Sequence, residues 1–535
     1  MRRDRDKTYD RRAVNRASRF YAAAYRRRRL WCLFSGAVYS LAFLRGELFI
    51  FGFAGLFLLF LRLFKKEENS FAPERPFNSA LWFGFGFFVP LYTWLTALYP
   101  FEAFGFTPAQ GVFVVIAGVF GIGAFHALLL ALPFLLIRSV PRRPLLLPLG
   151  AACCYMAGEW LMSIGTLAFP WGMAAVGQYR FLPLLQNASL FGARYITLIM
   201  CLFTASLALL VRLKSRGVLI MTCVSLMVPL ITGAILLAIP SGEGTAIKAA
   251  AVQGNELSME KWDSLKLKEN INKYISLTET AAQNGAELIV LPETAFPCRF
   301  DDPIRNRVAA ITDKYGCTVI VGALETENGS EYNALFAVYP DGTSGETYYK
   351  RRLVPFGEFL PYRDLLMSVL PFLQSMNLSS LDLTAGTEST LIKYGEDAGI
   401  CCFVCFDSVF PGLAEGSAGL FCVATNDSWF KDTAGIYQHM AHSALRAVEN
   451  GKWLIRAANT GVSCFISPKG KIIQATEPLT EAVVYGTVYI SDRRTLYSYV
   501  GDIVMLVPLC FITLCAAQKV FSAARKYKNK ERNAQ

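Results

Sequence analysis

Three polar residues in this 535-residue chain stand where short apolar runs end, and their types make a set. Glu293 follows LIVLP, Lys350 opens KRRLVPFGEFLP with Glu358 inside the same run, and Cys405 follows GICCFV. A thiol attacks well only as its thiolate, so it needs a base to take its proton and a fixed cation to stabilise the oxyanion that attack creates. Cysteine, carboxylate and lysine supply those three parts. Singly, each has a plain alternative. Glu293 can be a solvated acid in a turn, Lys350 can belong to a solvated basic face, and Cys405 can be core.

The elements around these residues can be read from periodicity. From residue 246 onward, strand signals fall at AIKAAAVQ, AELIVLP, CTVIVGAL, 332–339, 346–350, 398–405, 418–424, 453–457, 462–466 and 483–490. Helical patterns fall near 264–284, 302–315 and 433–450. The alternation predicts an α/β domain with buried sheet, in which reactive groups sit just beyond strand ends.

The chain as a whole is too apolar for an ordinary soluble protein and is expected to lie partly in membrane. Hydrophobic residues make up 53% and charged residues 18%, with a mean hydropathy of +0.35. Apolar segments of bilayer-spanning length fall at 30–45, 48–64, 78–98, 111–137, 145–165, 190–211, 218–239 and 499–517, predicting eight spans. Lys65, Lys66, Arg75, Arg138, Arg142, Arg143, Arg212, Lys214 and Arg216 all fall in loops on one side, together with both basic ends. That side is therefore expected to be cytoplasmic, with the α/β domain outside. The expected organisation is a basic tail at 1–29, seven spans within 30–239, a catalytic domain at 245–495, a last span at 499–517 and a basic tail at 518–535. The net charge of +12 sits mostly in those tails, so it reads as a topology signal and not as a nucleic-acid site.

Glu159 is an ionisable group inside an apolar run, expected to face the bundle interior or water. The clusters Gly84/Gly86 and Gly118/Gly121/Gly123 read as helix packing. The cysteine spacing fits neither a disulfide framework nor a zinc site, and the three histidines assemble no ligand set. If a strand continues through Cys405, then Cys402 and Cys405 point to opposite faces and form no redox pair.

Order and context together carry a resemblance. The Glu, Lys and Cys follow one another as in the nitrilase superfamily, with the cysteine followed by an aromatic and an acid, here Phe406 and Asp407. The motifs GEWL at 158–161, FPWG at 169–172, VQGN at 252–255 with Lys261-Trp262, LPETAFP at 291–297, KRRLVPFGEFLP at 350–361, TNDSWF at 425–430 and RAANTGVS at 456–463 resemble its membrane branch, the apolipoprotein N-acyltransferases. The resemblance implies an αββα sandwich joined to a bundle of about eight spans. It implies Glu293 as general base, Lys350 as oxyanion cation, Cys405 as nucleophile and Glu358 as a supporting carboxylate. Substrate contacts are implied for Trp262, Phe406 and Asp407, and the FPWG aromatic Trp171 joins that expected set. Asp407 stands where this branch usually carries Glu, which puts the role of that position in question.

The activity so implied moves an acyl chain, at the sn-1 position of a phospholipid donor, through a cysteine thioester to the α-amine of a diacylglyceryl-cysteine apolipoprotein. It needs a bilayer, no metal and no cofactor, and it places the protein in a bacterial inner membrane with the catalytic domain outside. Two other readings use the same residues: a membrane-tethered amidase and a transporter with a binding domain.

Overall fold

A computed structural model describes residues 26–66, 71–100, 107–241, 244–257, 261, 263, 265–369, 382–395 and 398–532. All eight expected apolar segments are helical over most of their length. The helices are α1 (26–40), α2 (Ile50–Leu63), α3 (Pro76–Leu91), α4 (Pro108–Ala131), α5 (Leu146–Leu161), α6 (Ala193–Leu213) and α7 (Arg216–Ala238), with the last one at the chain's end. Among the described residues, six helical stretches are long and apolar enough to cross a membrane, and Leu146–Leu161 is a shorter apolar helix. A helix satisfies its own backbone groups, which lipid cannot do. Pro76 and Pro108 stand in the first turn, where no N–H is needed, and Thr107 with Gln110 closes a capping box on α4.

The ends of the bundle differ from expectation. Arg26–Arg29, assigned to the basic tail, already lie in α1, and Arg28 is buried in an ion pair with Glu74. Residues 1–25 lie outside the described residues. At the other end the final helix continues to Arg532, through most of the expected tail. Gly86 lets α3 meet α1: a Cβ there would stand 2.2 Å from the Leu33 carbonyl oxygen. Gly121, by contrast, faces open space, so that part of the glycine pattern is not packing.

Two sheets make the α/β domain. The seven-stranded sheet contains β1 (Thr245–Gln253), β2 (Leu288–Val290), β3 (Phe296–Arg299), β4 (Thr318–Glu327), β5 (Ser330–Val338), β6 (Ser344–Tyr349) and, pairing back onto β1, β13 (Ala482–Ile490). Its order is β13-β1-β2-β4-β5-β6, with β3 beside β4. The six-stranded sheet contains β7 (Leu391–Tyr394), β8 (Ala398–Val404), β9 (Leu420–Thr425), β10 (Leu454–Ala458), β11 (Cys464–Ile466) and β12 (Ile472–Ala475), side by side in chain order. The β1, β2 and β4 run is parallel, as is β8, β9 and β10. Strands buried on both faces read as unbroken apolar runs, as LIV at β2 and LFCVAT at β9 do.

Three apolar layers hold the sandwich. Ile289, Val319 and Phe336 pack outward against α8 (Leu267–Gln283) and α9 (Asp302–Tyr315). Val290, Ile320, Ile400, Cys422 and Ile455 fill the space between the sheets. The third layer, on the far side of the six-stranded sheet, is continuous with the membrane bundle. Helix α10 (Gly435–Asn450) lies in it with every residue buried except Tyr437. The final helix, α11 (Leu506–Arg532), then returns to the bundle, against α5.

Candidate active site

Glu293, Lys350 and Cys405 each sit beyond a strand end, as their sequence positions predict. β2 ends at Val290 and the chain turns through Glu293 and Thr294, the latter at φ +44°. β6 ends at Tyr349 and delivers Lys350. β8 ends at Val404, and Cys405 takes φ +50°, a left-handed conformation that a residue with a Cβ adopts at a cost of about 1–3 kcal/mol. That turn carries the thiol off the strand's alternation. Cys402 stays in the intersheet core directly opposite Cys422 on β9, so the expected face argument stops one residue short of Cys405.

The Lys350 ammonium is 1% exposed and donates to Glu293 Oε1 at 2.9 Å and to Glu358 Oε1 at 2.7 Å. Burial opposes its charge, but the two carboxylates outweigh burial and hold its pKa well above the ordinary lysine range. Glu293 also accepts from Asn333 Nδ2 at 2.8 Å on Oε1 and from the Asn426 N–H at 2.8 Å on Oε2. Burial pushes its carboxyl up, yet Lys350, Lys261 and the Asn426 N–H together keep it below the ordinary range. Glu358 Oε2 accepts from the Val354 N–H at 2.8 Å, fixing the loop that carries it. The thiol of Cys405 is pushed well up, by burial first and by Glu293 second, with Lys350 opposing. At rest, therefore, the thiol keeps its proton and Glu293 is the ionised partner.

Beneath Cys405 lies a buried cluster that periodicity could not reveal. The His439 Nε2 lies 3.1 Å from the Cys405 carbonyl oxygen, and its Nδ1 lies 2.8 Å from Asp427 Oδ1. Asp427 also accepts from Arg456 at 2.7 Å and from the Thr425 hydroxyl at 3.0 Å. Burial raises the Asp427 carboxyl, but Arg456 and His439 hold it below the ordinary range. Asn333 also escaped the sequence reading, and Lys261 was named there only as part of a motif, with no role. The signals present were a polar Asn opening the buried part of β5 and a lysine in the segment after VQGN.

Three of the residues expected to contact substrate are buried side chains with partners of their own. Asp407 is fully buried and spends its oxygens on the N–H groups of Val404 (3.0 Å), Arg351 (3.2 Å) and Arg352 (2.7 Å) and on the Tyr348 hydroxyl (3.0 Å). It clips the strand end bearing Cys405 to the segment bearing Lys350. Phe406 is buried against Phe169 and Phe410, at ring separations of 5.5 and 5.1 Å. Trp171 is 2% exposed, stacked on Phe169 and bonded to Gln438, inside the joint between bundle and catalytic domain. Trp262 lies outside the described residues. Glu159 supports the same joint: it accepts from the Ala174 N–H at 2.8 Å and the Thr197 hydroxyl at 2.7 Å, fixing the backbone just after FPWG.

Fold and site together define a nitrilase-like catalytic domain built onto a polytopic membrane bundle. Residues 248–497 match the family model described as carbon-nitrogen hydrolase, and residues 35–206 match that of the apolipoprotein N-acyltransferase N-terminal domain. The chain is 30% identical over 491 residues to an apolipoprotein N-acyltransferase of Azotobacter vinelandii, covering 88% of this chain and 90% of that one. It is 30% identical over 444 residues to one of Pseudomonas putida, covering 80% and 85%. Among solved structures, a carbon–nitrogen hydrolase superfamily protein from Xanthomonas campestris aligns with 49% of this chain and 97% of its own at 20% identity and a TM-score of 0.37. The chain belongs to the apolipoprotein N-acyltransferase family.

Proposed function

We propose that this protein transfers a fatty acyl chain from a phospholipid to the α-amine of a diacylglyceryl-cysteine at the N-terminus of a lipoprotein. The observation that carries the reading is the Lys350 ammonium bridging Glu293 and Glu358 where β8 delivers Cys405. Glu293, ionised at rest, takes the thiol proton as sulfur attacks the ester carbonyl. The oxyanion is stabilised by Lys350, and Glu293 returns the proton to the departing lysophospholipid oxygen. The acceptor amine then attacks the thioester, Glu293 takes its proton, and the thiol is regenerated with an amide as product.

Lipid-anchored substrates suit the surroundings of this site. The segment after Glu358 exposes Tyr362, Leu365 and Val369, at 59%, 61% and 63%, and Phe356 just before it is 55% exposed. Apolar side chains so displayed on one stretch suit a bilayer surface better than water. We also propose that the catalytic domain is extracytoplasmic and both termini cytoplasmic, on the distribution of basic loops. In sealed cells an impermeant label should modify residues near 300 and spare those near 526.

The chemical test is capture of the intermediate. Protein in detergent, given acyl-labelled phospholipid and no acceptor, should retain about one label per chain, released by neutral hydroxylamine and absent from Cys405→Ala. A diacylglyceryl-cysteine peptide should discharge the label as a hydroxylamine-resistant amide. Discharge to water alone would make the protein a membrane-bound hydrolase.

A further inference from the structure

Lys261 enters the site from the segment after β1, and no step above uses it. It is 1% exposed, and its ammonium donates to the backbone carbonyl of Glu293 at 2.9 Å. Glu293, Glu256 and Cys405 all lie within its electrostatic reach.

A charge count shows why a second cation matters. Glu293 and Glu358 bring two negative charges, and Lys350 brings one positive charge to both. Asp427 is balanced separately by Arg456, and Glu256 is ion-paired with Lys273. Transfer of the Cys405 proton to Glu293 moves one negative charge onto sulfur without removing it, so thiolate and oxyanion alike form in a buried site that Lys350 alone leaves one cation short. In low dielectric that imbalance is costly.

We propose that Lys261 is a positioning residue that holds the backbone of Glu293 in place and supplies the second positive charge against which the Cys405 thiolate forms. The inference rests on the reading of Cys405 as nucleophile. Burial pulls the Lys261 ammonium down to about 8, opposed by Glu293, Glu256 and Cys405, which leaves it charged at neutral pH. Because a Cys405 thiolate raises the proton affinity of Lys261, the Lys261 charge must equally favour the thiolate.

The test is the pH dependence of thioester formation by full-length protein in detergent with acyl-labelled phospholipid, in wild type, Lys261→Met, Lys261→Gln and Lys261→Arg. Methionine removes both charge and hydrogen bond; glutamine removes the charge and retains a donor for the Glu293 carbonyl. Both neutral variants should shift the half-maximal pH upward by about one unit, which is about a tenfold loss near neutrality recovered at alkaline pH. Lys261→Arg should keep the wild-type midpoint even with a lower plateau. If Lys261→Met is not obtained folded, Lys261→Gln decides alone. A lowered plateau with an unshifted midpoint in the neutral variants would reduce Lys261 to a strut and overturn the proposal, as would an equal shift in Lys261→Arg. No thioester in wild type at any pH would instead overturn the nucleophile reading itself.

Discussion

Trp171 of the membrane bundle donates its indole N–H to the side-chain oxygen of Gln438 on α10 at 2.7 Å, joining positions 267 residues apart. Trp171→Phe keeps an aromatic ring on Phe169 but leaves that buried oxygen without its donor, at a cost of about 1–3 kcal/mol. Thermal unfolding in detergent should move down by several degrees, while the folded fraction still forms thioester. An unchanged midpoint would show that other contacts hold the two parts together.

Lys350→Arg keeps the charge and should still fail. A planar guanidinium cannot place one compact donor group 2.9 Å from Glu293 and 2.7 Å from Glu358 in a site where the lysine is 1% exposed. Loss of one oxyanion contact predicts a fall in thioester formation of about 100-fold or more. Near-normal rates in folded Lys350→Arg would leave Lys350 a structural cation.

Asp407 predicts a pH effect with opposite signs for rate and for stability. Burial pushes its carboxyl up to about 6, so the folded protein protonates it as pH falls through that value. Protonation weakens its hold on the Arg351 and Arg352 N–H groups, and thioester formation should fall with a midpoint near the same pH. Stability should not fall with it. A carboxyl whose folded value is raised binds its proton more tightly folded than unfolded, so acidification toward the ordinary carboxylate range adds stability. Glu293 and Asp427 are held low and lose their contributions only at more acid pH. Asp407→Asn should be slower and should lose the step near the Asp407 value while keeping the separate limb that the Lys261 variants move, read as rate against pH alongside circular dichroism. An acid limb unchanged in Asp407→Asn would assign it to another group.

Gly322 predicts sensitivity at a residue with no side chain. A Cβ there would stand 2.2 Å from the Pro292 carbonyl oxygen and 3.0 Å from Glu293 Cα, both backbone, so the turn bearing Glu293 must shift. Gly322→Ala should cost about 1–3 kcal/mol in stability by overpacking. The displaced base should slow thioester formation by about tenfold or more. Full activity per folded molecule would show that the turn has slack.

Much of this architecture was readable from periodicity, for reasons that also mark its limits. Helix α9 begins and ends where Asp302 and Gly316 punctuate an amphipathic run, and Glu293, Lys350 and Cys405 announce themselves by following apolar strands. β3, β7 and β12 were missed because they are short and only partly buried, with weak alternation. Trp171 entered the expected substrate contacts through the FPWG motif, which says nothing of what it packs against. Its partner Gln438 is far away in sequence, and only the fold brings them together. The same holds for Asn333, whose amide reaches both Glu293 and Glu358 from across β5.

The placement of the reactive groups on two different sheets has a consequence for the protein before it is finished. Glu293 and Lys350 ride on the seven-stranded sheet, and Cys405 with the Asn426 N–H rides on the six-stranded one. The seven-stranded sheet gains its β13 edge only from the last segment of the domain, which pairs back onto β1. A chain with one sheet assembled holds a base and cation without a thiol, or a thiol without either. Latency is thus written into the topology: if the chain acts on lipid as proposed, a half-assembled protein lacks the complete site with which to do so.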